Sequence, residues 1–164
     1  SPEARPMIDK ATKLLEQASG DVRKISHNMM PGLLTKFGLF EAVEDLFEQV
    51  DEMEGLHAKV TIDGEQTRVK ENTEIMLYRV IQEMVNNTLK HAEAEKIDMH
   101  IIVTANKLEI VYQDDGKGYD PKEVKATQSM GLQSIKSRVS YLGGACKLKS
   151  VPGKGVRYDI EVPV

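Results

Sequence analysis

The sequence is poor in cysteine, in aromatic residues and in long apolar runs. Its single cysteine, Cys146, excludes an internal disulfide framework and a cysteine-rich zinc site. No apolar run approaches the roughly 18–20 residues that a membrane-spanning helix needs. With a net charge of −4, the chain has no general attraction to nucleic acid or to an anionic membrane surface. Disulfide-stapled, membrane-embedded and basic nucleic-acid-binding classes are therefore excluded.

The remaining composition is that of a globular chain with a real core. Apolar residues make up 40% and charged residues 29% of 164 residues, which allows one domain with a short appendage. The chain begins with Ser1-Pro2 rather than with Met, so we expect it to be a piece of a longer protein.

The first thirty residues carry apolar side chains at alternating spacings of three and four. This heptad seam predicts a long helix that ends at Pro31-Gly32. The helix cannot bury its apolar stripe alone. The stripe must pack against the following domain, another helix or a second copy of the chain. The seam consists of Ile8, Ala11, Leu15, Ala18, Val22, Ile25 and Met29.

Beyond the seam, the periodicity predicts the element order α, β, α, β, β, α, β, β. Helices and strands are mixed with hairpins, so we predict an α+β fold rather than a parallel doubly wound sheet. Helical spacing marks residues 40–50, 72–92 and 132–142, and alternation marks 56–62, 97–103, 108–112, 145–150 and 156–162.

Polar side chains share one face of the third predicted helix. Glu83, Asn87 and His91 follow one another at intervals of four residues. A carboxylate and an amide oxygen one turn apart suit a hard cation, and Lys90 and His91 at the helix end suit an anion. The alternative is the ordinary polar face of a half-exposed helix.

A second polar segment, Asp114-Asp115-Gly116-Lys117-Gly118, follows a predicted strand directly. Its glycines let the backbone approach a ligand closely, and a carboxylate at the strand end can accept a hydrogen bond from an exocyclic amine. An ordinary Asp/Gly turn is the alternative. A calcium loop is disfavoured because Lys125 stands where such a loop needs glutamate.

A third segment, Met130-Gly131-Leu132, is expected to open the last helix. A glycine at a helix start exposes backbone N–H groups to a phosphate, and the helix dipole favours the negative charge. Taken alone this signal is weak, because glycine before a helix is common.

The three segments occur in a characteristic order and spacing. Because of them, residues 38–164 resemble the ATP-binding domain of sensor histidine kinases in the GHKL superfamily. Residues 138–144 resemble the helix ending in Leu-Gly-Gly of the NarL/DesK-like subgroup. The resemblance implies a two-layer α/β sandwich of the Bergerat type over residues 33–164. It also implies that residues 1–32 form the second helix of a partial dimerisation hairpin.

The resemblance implies ATP and Mg²⁺ as cofactors. It also implies a binding role for each polar residue of the third predicted helix. Asn87 would ligate the Mg²⁺ that bridges the phosphates, and Glu83 would hold or polarise a water. Lys90 and His91 would contact phosphate.

The resemblance also assigns the other two segments. Asp114 would bind the adenine amine, while Gly116 and Gly118 would let the chain pass the base. Gly131 and Leu132 would close a lid over the phosphates.

Two positions depart from the family pattern. Ser129 stands where one lid glycine is usual, and Val156 replaces the threonine usual after the closing turn Gly153-Lys154-Gly155. The second change removes a hydroxyl expected near the adenine. Each change weakens nucleotide binding by about one hydrogen bond, on the order of 1 kcal/mol.

Ser26-His27-Asn28, with Pro31 nearby, resembles a phosphoacceptor box. Asn28 cannot act as a base, however, and the 60 positions from His27 to Asn87 leave no room for a second hairpin helix. The NarL/DesK-like subgroup carries its acceptor in a His-Asp pair, and this chain has no such pair. We therefore expect His27 to be structural or interfacial, with a phosphoacceptor or a phosphatase-type contact as the alternative. The acceptor is expected to lie outside this sequence, and the chain is expected not to phosphorylate itself.

The resemblance implies a kinase domain that donates the γ-phosphoryl of ATP to a histidine, for relay to a response-regulator receiver domain. We expect a homodimer through the N-terminal helix and a cytoplasmic position. The parent protein is either free or anchored in the bacterial inner membrane. One alternative is an anti-sigma-type GHKL serine kinase. Another is a nucleotide-responsive dimerisation module without catalysis, in which Ser129 and Val156 mark a degenerate site.

Overall fold

The chain divides into two compact units, Ser1–Pro31 and Gly32–Val164. The structure, a computed structural model, describes residues 4–15, 31–124 and 126–164. In the first unit, residues 4–15 form helix α1, on which the seam residues Ile8 and Leu15 are exposed. The remainder of the predicted seam beyond Leu15, together with His27, lies outside the described residues. No helix within the described ranges is long and apolar enough to cross a membrane.

The second unit follows the predicted order of helices and strands, with one additional short helix at its start. A π-helical turn over Thr88–Ala92 follows α4, and a 3₁₀ turn covers Pro121–Glu123. The elements are α2 (Gly32–Phe37), α3 (Leu39–Asp51), β1 (His57–Gly64), α4 (Glu71–Asn87), β2 (Lys96–Val103), β3 (Lys107–Asp114), α5 (Ala126–Tyr141), β4 (Ala145–Ser150) and β5 (Val156–Pro163).

The strands form one mixed sheet in the order β1-β2-β3-β5-β4. β1 runs parallel to β2, and the other neighbours are antiparallel. This arrangement confirms the predicted α+β class. The register of β3 and β5 sets Asp114 directly opposite Val156, so the end of one strand and the start of the other meet at one edge.

An apolar core is formed by residues of the sheet and of the helices. Alternation along β2 buries Ile97, Met99 and Ile101, while Leu77 and Ile81 of α4 pack into the same core. Each such side chain contributes roughly 1.5–3 kcal/mol when fully buried. This packing fixes α4 on the sheet, and so it fixes the position of the polar residues at the C-terminal end of α4.

The last helix differs from the prediction. Gly131 was expected to open it, but α5 spans Ala126–Tyr141, so Gly131 and Leu132 lie inside the helix. The expectation of free N–H groups at a helix start beside Gly131 was therefore wrong. The residues before Gly131 have no apolar periodicity, which is why the sequence pattern missed this part of α5.

Candidate functional site

A pocket opens where the end of α4, the end of β3 and the start of β5 meet. The glycine-rich segment after β3 forms its fourth side. Four of the predicted site residues line it, namely Asn87, His91, Asp114 and Gly118. The other lining residues are Thr88, Ala92, Tyr119, Val156 and Tyr158.

Asp114 is a buried carboxylate at the end of β3, only 2% exposed. Its Oδ1 accepts hydrogen bonds from the backbone N–H groups of Gly116 (3.0 Å) and Val156 (3.2 Å). Its Oδ2 accepts one from the Thr88 hydroxyl at 2.8 Å. A carboxylate can accept about four hydrogen bonds. One acceptor position on Oδ2 therefore remains for a ligand in the pocket.

The glycines after Asp114 are required because the backbone of this segment lies very close to other parts of the chain. A Cβ at Gly116 would lie 2.4 Å from the carbonyl oxygen of Ala92, so the segment packs directly on the π-helical turn. Gly118 has φ +59°, and a Cβ there would lie 2.2 Å from the carbonyl oxygen of Val151. A side chain at either position would push the segment away from the pocket wall.

Glu83 and Asn87 converge on one point beside the pocket. A Cβ at Gly131 would lie 2.5 Å from Glu83 Oε1 and 3.1 Å from Asn87 Oδ1. The carboxylate and amide oxygens of α4 thus lie together, one helical turn apart, with α5 passing directly over them. A larger residue at position 131 would displace the ends of the Glu83 and Asn87 side chains.

Two buried polar atoms at the pocket lack a hydrogen-bond partner among the described residues, Asn87 Nδ2 and Tyr119 Oη. Buried polar atoms are almost always paired, so orphans on a pocket wall indicate groups that a ligand satisfies. Burial raises the pKa of Tyr119 to about 12, and it also raises the pKa of Tyr158. Both hydroxyls are therefore protonated and able to donate at neutral pH.

The oxygens at this site suit Mg²⁺, which prefers oxygen ligands and takes one or two from protein when substrate phosphates supply others. Asn87 Oδ1, with Glu83 beside it, meets that description. In the described part of the chain, no three His, Cys, Asp or Glu side chains cluster as a metal cage. The residues therefore fit a cation held jointly with a phosphate ligand.

Two predicted residues lie elsewhere. Lys90 is exposed on the π-helical turn and is not one of the residues that line the pocket. Leu132 is half-buried against the apolar core. Their predicted contacts with phosphate and with a lid stay predictions.

Sequence reasoning missed the hydroxyl side chains of the site. Thr88 stands among the polar residues at the end of α4 without a pattern of its own, and Tyr112 and Tyr158 fit the alternation of buried strand residues. The two tyrosine rings meet edge to face at 5.9 Å. The available signal was the position of Thr88 directly after Asn87, at the end of α4.

The comparisons with known proteins assign the fold to a family of ATPase domains. Residues 72–164 match the family described as histidine kinase-, DNA gyrase B-, and HSP90-like ATPase. Since this match covers more than half of the sequence, the chain belongs to that family.

Two curated relatives cover nearly the whole chain. The sensor histidine kinase ComP of Bacillus subtilis is 34% identical over 94% of this chain. The signal transduction histidine-protein kinase/phosphatase DegS of Brevibacillus brevis is 30% identical over 99% of it. The chain spans 20% of the length of ComP and 42% of that of DegS. These relatives confirm the predicted resemblance to NarL/DesK-like sensor histidine kinases.

A solved structure supports the fold. The histidine kinase domain of the blue-light activated kinase from Erythrobacter litoralis EL346 superposes with a TM-score of 0.58. The two sequences are 20% identical, and the superposed region covers 74% of this chain and 58% of the Erythrobacter chain. The structural likeness confirms the fold, while the family match and the two relatives confirm the prediction of an ATP-binding domain of the sensor histidine kinase type and favour neither alternative class.

Proposed function

We propose that this domain binds ATP with Mg²⁺ in the pocket between α4, β3 and β5, and that it donates the γ-phosphoryl group to a histidine. The phosphoryl group then passes to an aspartate of a response-regulator receiver domain. The observation that carries the proposal is the pairing of a buried carboxylate, Asp114, with the oxygens of Glu83 and Asn87 beside the same pocket. Family membership and the names of the relatives support it.

In this proposal, different residues of the site contact the adenine and the phosphates. Asp114 Oδ2 accepts a hydrogen bond from the exocyclic amine of adenine. Asn87 holds Mg²⁺ and Glu83 orients a water, while His91 and Lys90 contact phosphate oxygens. Bound Mg²⁺ would neutralise charge on the phosphates. The protein's own contribution is positioning, as in phosphoryl transfer generally.

The acceptor histidine in this proposal lies outside the 164 residues, because they contain no His-Asp pair. Gly131 and Leu132 belong to the lid that closes over the phosphates. The exposed seam residues Ile8 and Leu15 pair with a second copy of the chain, which gives a homodimer. The domain works in the cytoplasm, where ATP is available.

A transfer assay tests the proposal. The chain is incubated with γ-labelled ATP, Mg²⁺ and full-length ComP in which the residue aligned with Asn87 is alanine, so that ComP is the acceptor only. We expect acid-labile, alkali-stable phosphate on ComP, and none on this chain.

Two results would contradict the proposal. Label retained on this chain and lost in His27→Ala would make His27 the acceptor. Absence of label from both proteins, although the chain binds ATP, would favour the nucleotide-responsive module without catalysis.

A further inference from the structure

Thr88 is the side chain that donates a hydrogen bond to the Asp114 carboxylate. Its side chain is 4% exposed, and its hydroxyl lies 2.8 Å from Asp114 Oδ2, 2.7 Å from the Tyr112 hydroxyl and 3.3 Å from the carbonyl oxygen of Met84. Thr88 also lines the pocket. One threonine hydroxyl thus joins the buried core to the carboxylate that faces the ligand.

The direction of these hydrogen bonds follows from charge. Burial raises the pKa of Tyr112 well above its usual value, so its hydroxyl is protonated and can donate either to Thr88 Oγ1 at 2.7 Å or to the carbonyl oxygen of Met84 at 3.4 Å. Donation over the shorter of these two distances leaves the Thr88 hydrogen free for another acceptor. The carboxylate of Asp114 is both nearer and charged, whereas the carbonyl of Met84 is neutral, so Thr88 donates to Asp114.

This donation fixes which acceptor position Asp114 offers to the pocket. Two backbone N–H groups hold Oδ1, and Thr88 occupies one side of Oδ2. The carboxylate cannot rotate without breaking one of these bonds. Its remaining acceptor position on Oδ2 is therefore directed by Thr88.

We propose that Thr88 is a positioning residue for adenine selectivity, acting through Asp114 on the exocyclic amine of the base. The inference rests on the proposed function, since it assumes ATP in this pocket. It goes further by assigning base discrimination to a hydroxyl at the end of α4.

The geometry also points to a second place from which the same hydroxyl can be supplied. Val156 lies directly opposite Asp114 in the β3–β5 register, lines the pocket and is buried. Side chains at directly opposed positions of an antiparallel pair lie close together on one face. A threonine at position 156 would therefore place its hydroxyl beside Asp114 without the help of Thr88.

The test compares the affinity for ATP with that for purine riboside triphosphate, which lacks the exocyclic amine. Calorimetric titrations with Mg²⁺ give both dissociation constants, and their ratio measures recognition of the amine. We expect Thr88→Val to lower this ratio about fivefold or more, and Thr88→Ser to retain it within twofold. Adding Val156→Thr to Thr88→Val should restore most of the loss.

A merely structural role for Thr88 would weaken both nucleotides equally and leave the ratio unchanged. An unchanged ratio in folded Thr88→Val overturns the inference, and so does a loss that Val156→Thr fails to restore. If the unmodified chain binds neither nucleotide, the proposed function fails instead. Circular dichroism of each variant establishes that it is folded.

Discussion

Asp114→Asn is expected to weaken ATP binding by about 10–100-fold while the domain stays folded. The amide keeps one oxygen for the N–H groups of Gly116 and Val156, so most of the local structure is retained. At the position of Oδ2 it presents an N–H donor to the adenine amine, which is also a donor. Hydrogen bonds to charged groups contribute about 1.5–3 kcal/mol, which corresponds to this loss.

The same substitution should change base selectivity. Guanine presents a carbonyl oxygen where adenine has its amine, and an amide N–H suits that acceptor. The preference for ATP over GTP is therefore expected to fall at least tenfold, measured by calorimetry with both nucleotides.

The matched control is Asp115→Asn. Asp115 is the neighbouring carboxylate, and its Oδ1 accepts from the backbone N–H groups of Glu95 and Lys96 on the exposed side. ATP affinity should stay within twofold in this variant. Equal affinities for Asp114→Asn and the unmodified chain would contradict the assignment of Asp114 to adenine.

Asn87→Ala is expected to abolish the dependence of ATP binding on Mg²⁺. Loss of a group that holds or supports a metal typically costs 10–100-fold in metal affinity. The measurement is the ratio of ATP affinities with Mg²⁺ and with a chelator. This ratio should exceed ten in the unmodified chain and approach one in the variant.

The stability of Asn87→Ala should differ little from that of the unmodified chain. The substitution removes the buried Nδ2, which has no hydrogen-bond partner among the described residues, so no hydrogen bond of that atom is lost. An unfolding temperature within a few degrees of the original is expected.

Asn86→Ala serves as the control for Asn87→Ala. Asn86 lies next to Asn87 on α4 but does not line the pocket. Its Mg²⁺ dependence should be unchanged. A similar loss in both variants would mean that Asn87 acts through the helix rather than through a cation.

The features that could be predicted from the sequence are those that depend on residues close together along the chain. Alternation of buried residues revealed β2 and β3, and the spacing of Glu83 and Asn87 placed both on one face of α4. Asp114 was predictable because a carboxylate followed by closely spaced glycines stands at a strand end. Short-range periodicity and turn chemistry were sufficient to mark these residues as candidates, and the resemblance to sensor histidine kinases assigned their roles.

Features that depend on distant partners escaped prediction. The N-terminal turns of α5 lack an apolar stripe, and Gly131 within them packs on Glu83 and Asn87 from another helix. The role of Thr88 depends on the meeting of α4 with the end of β3, which no local pattern encodes.

The most direct test of the central claim is a crystal structure of the chain with Mg²⁺ and a non-hydrolysable ATP analogue. We expect the adenine amine within hydrogen-bond distance of Asp114 Oδ2, and Mg²⁺ beside Asn87 Oδ1. A nucleotide bound elsewhere would contradict it, for example in the cleft at the opposite end of α4 that Arg68, Lys70 and Tyr141 line. A base turned away from Asp114 within the same pocket would contradict it equally.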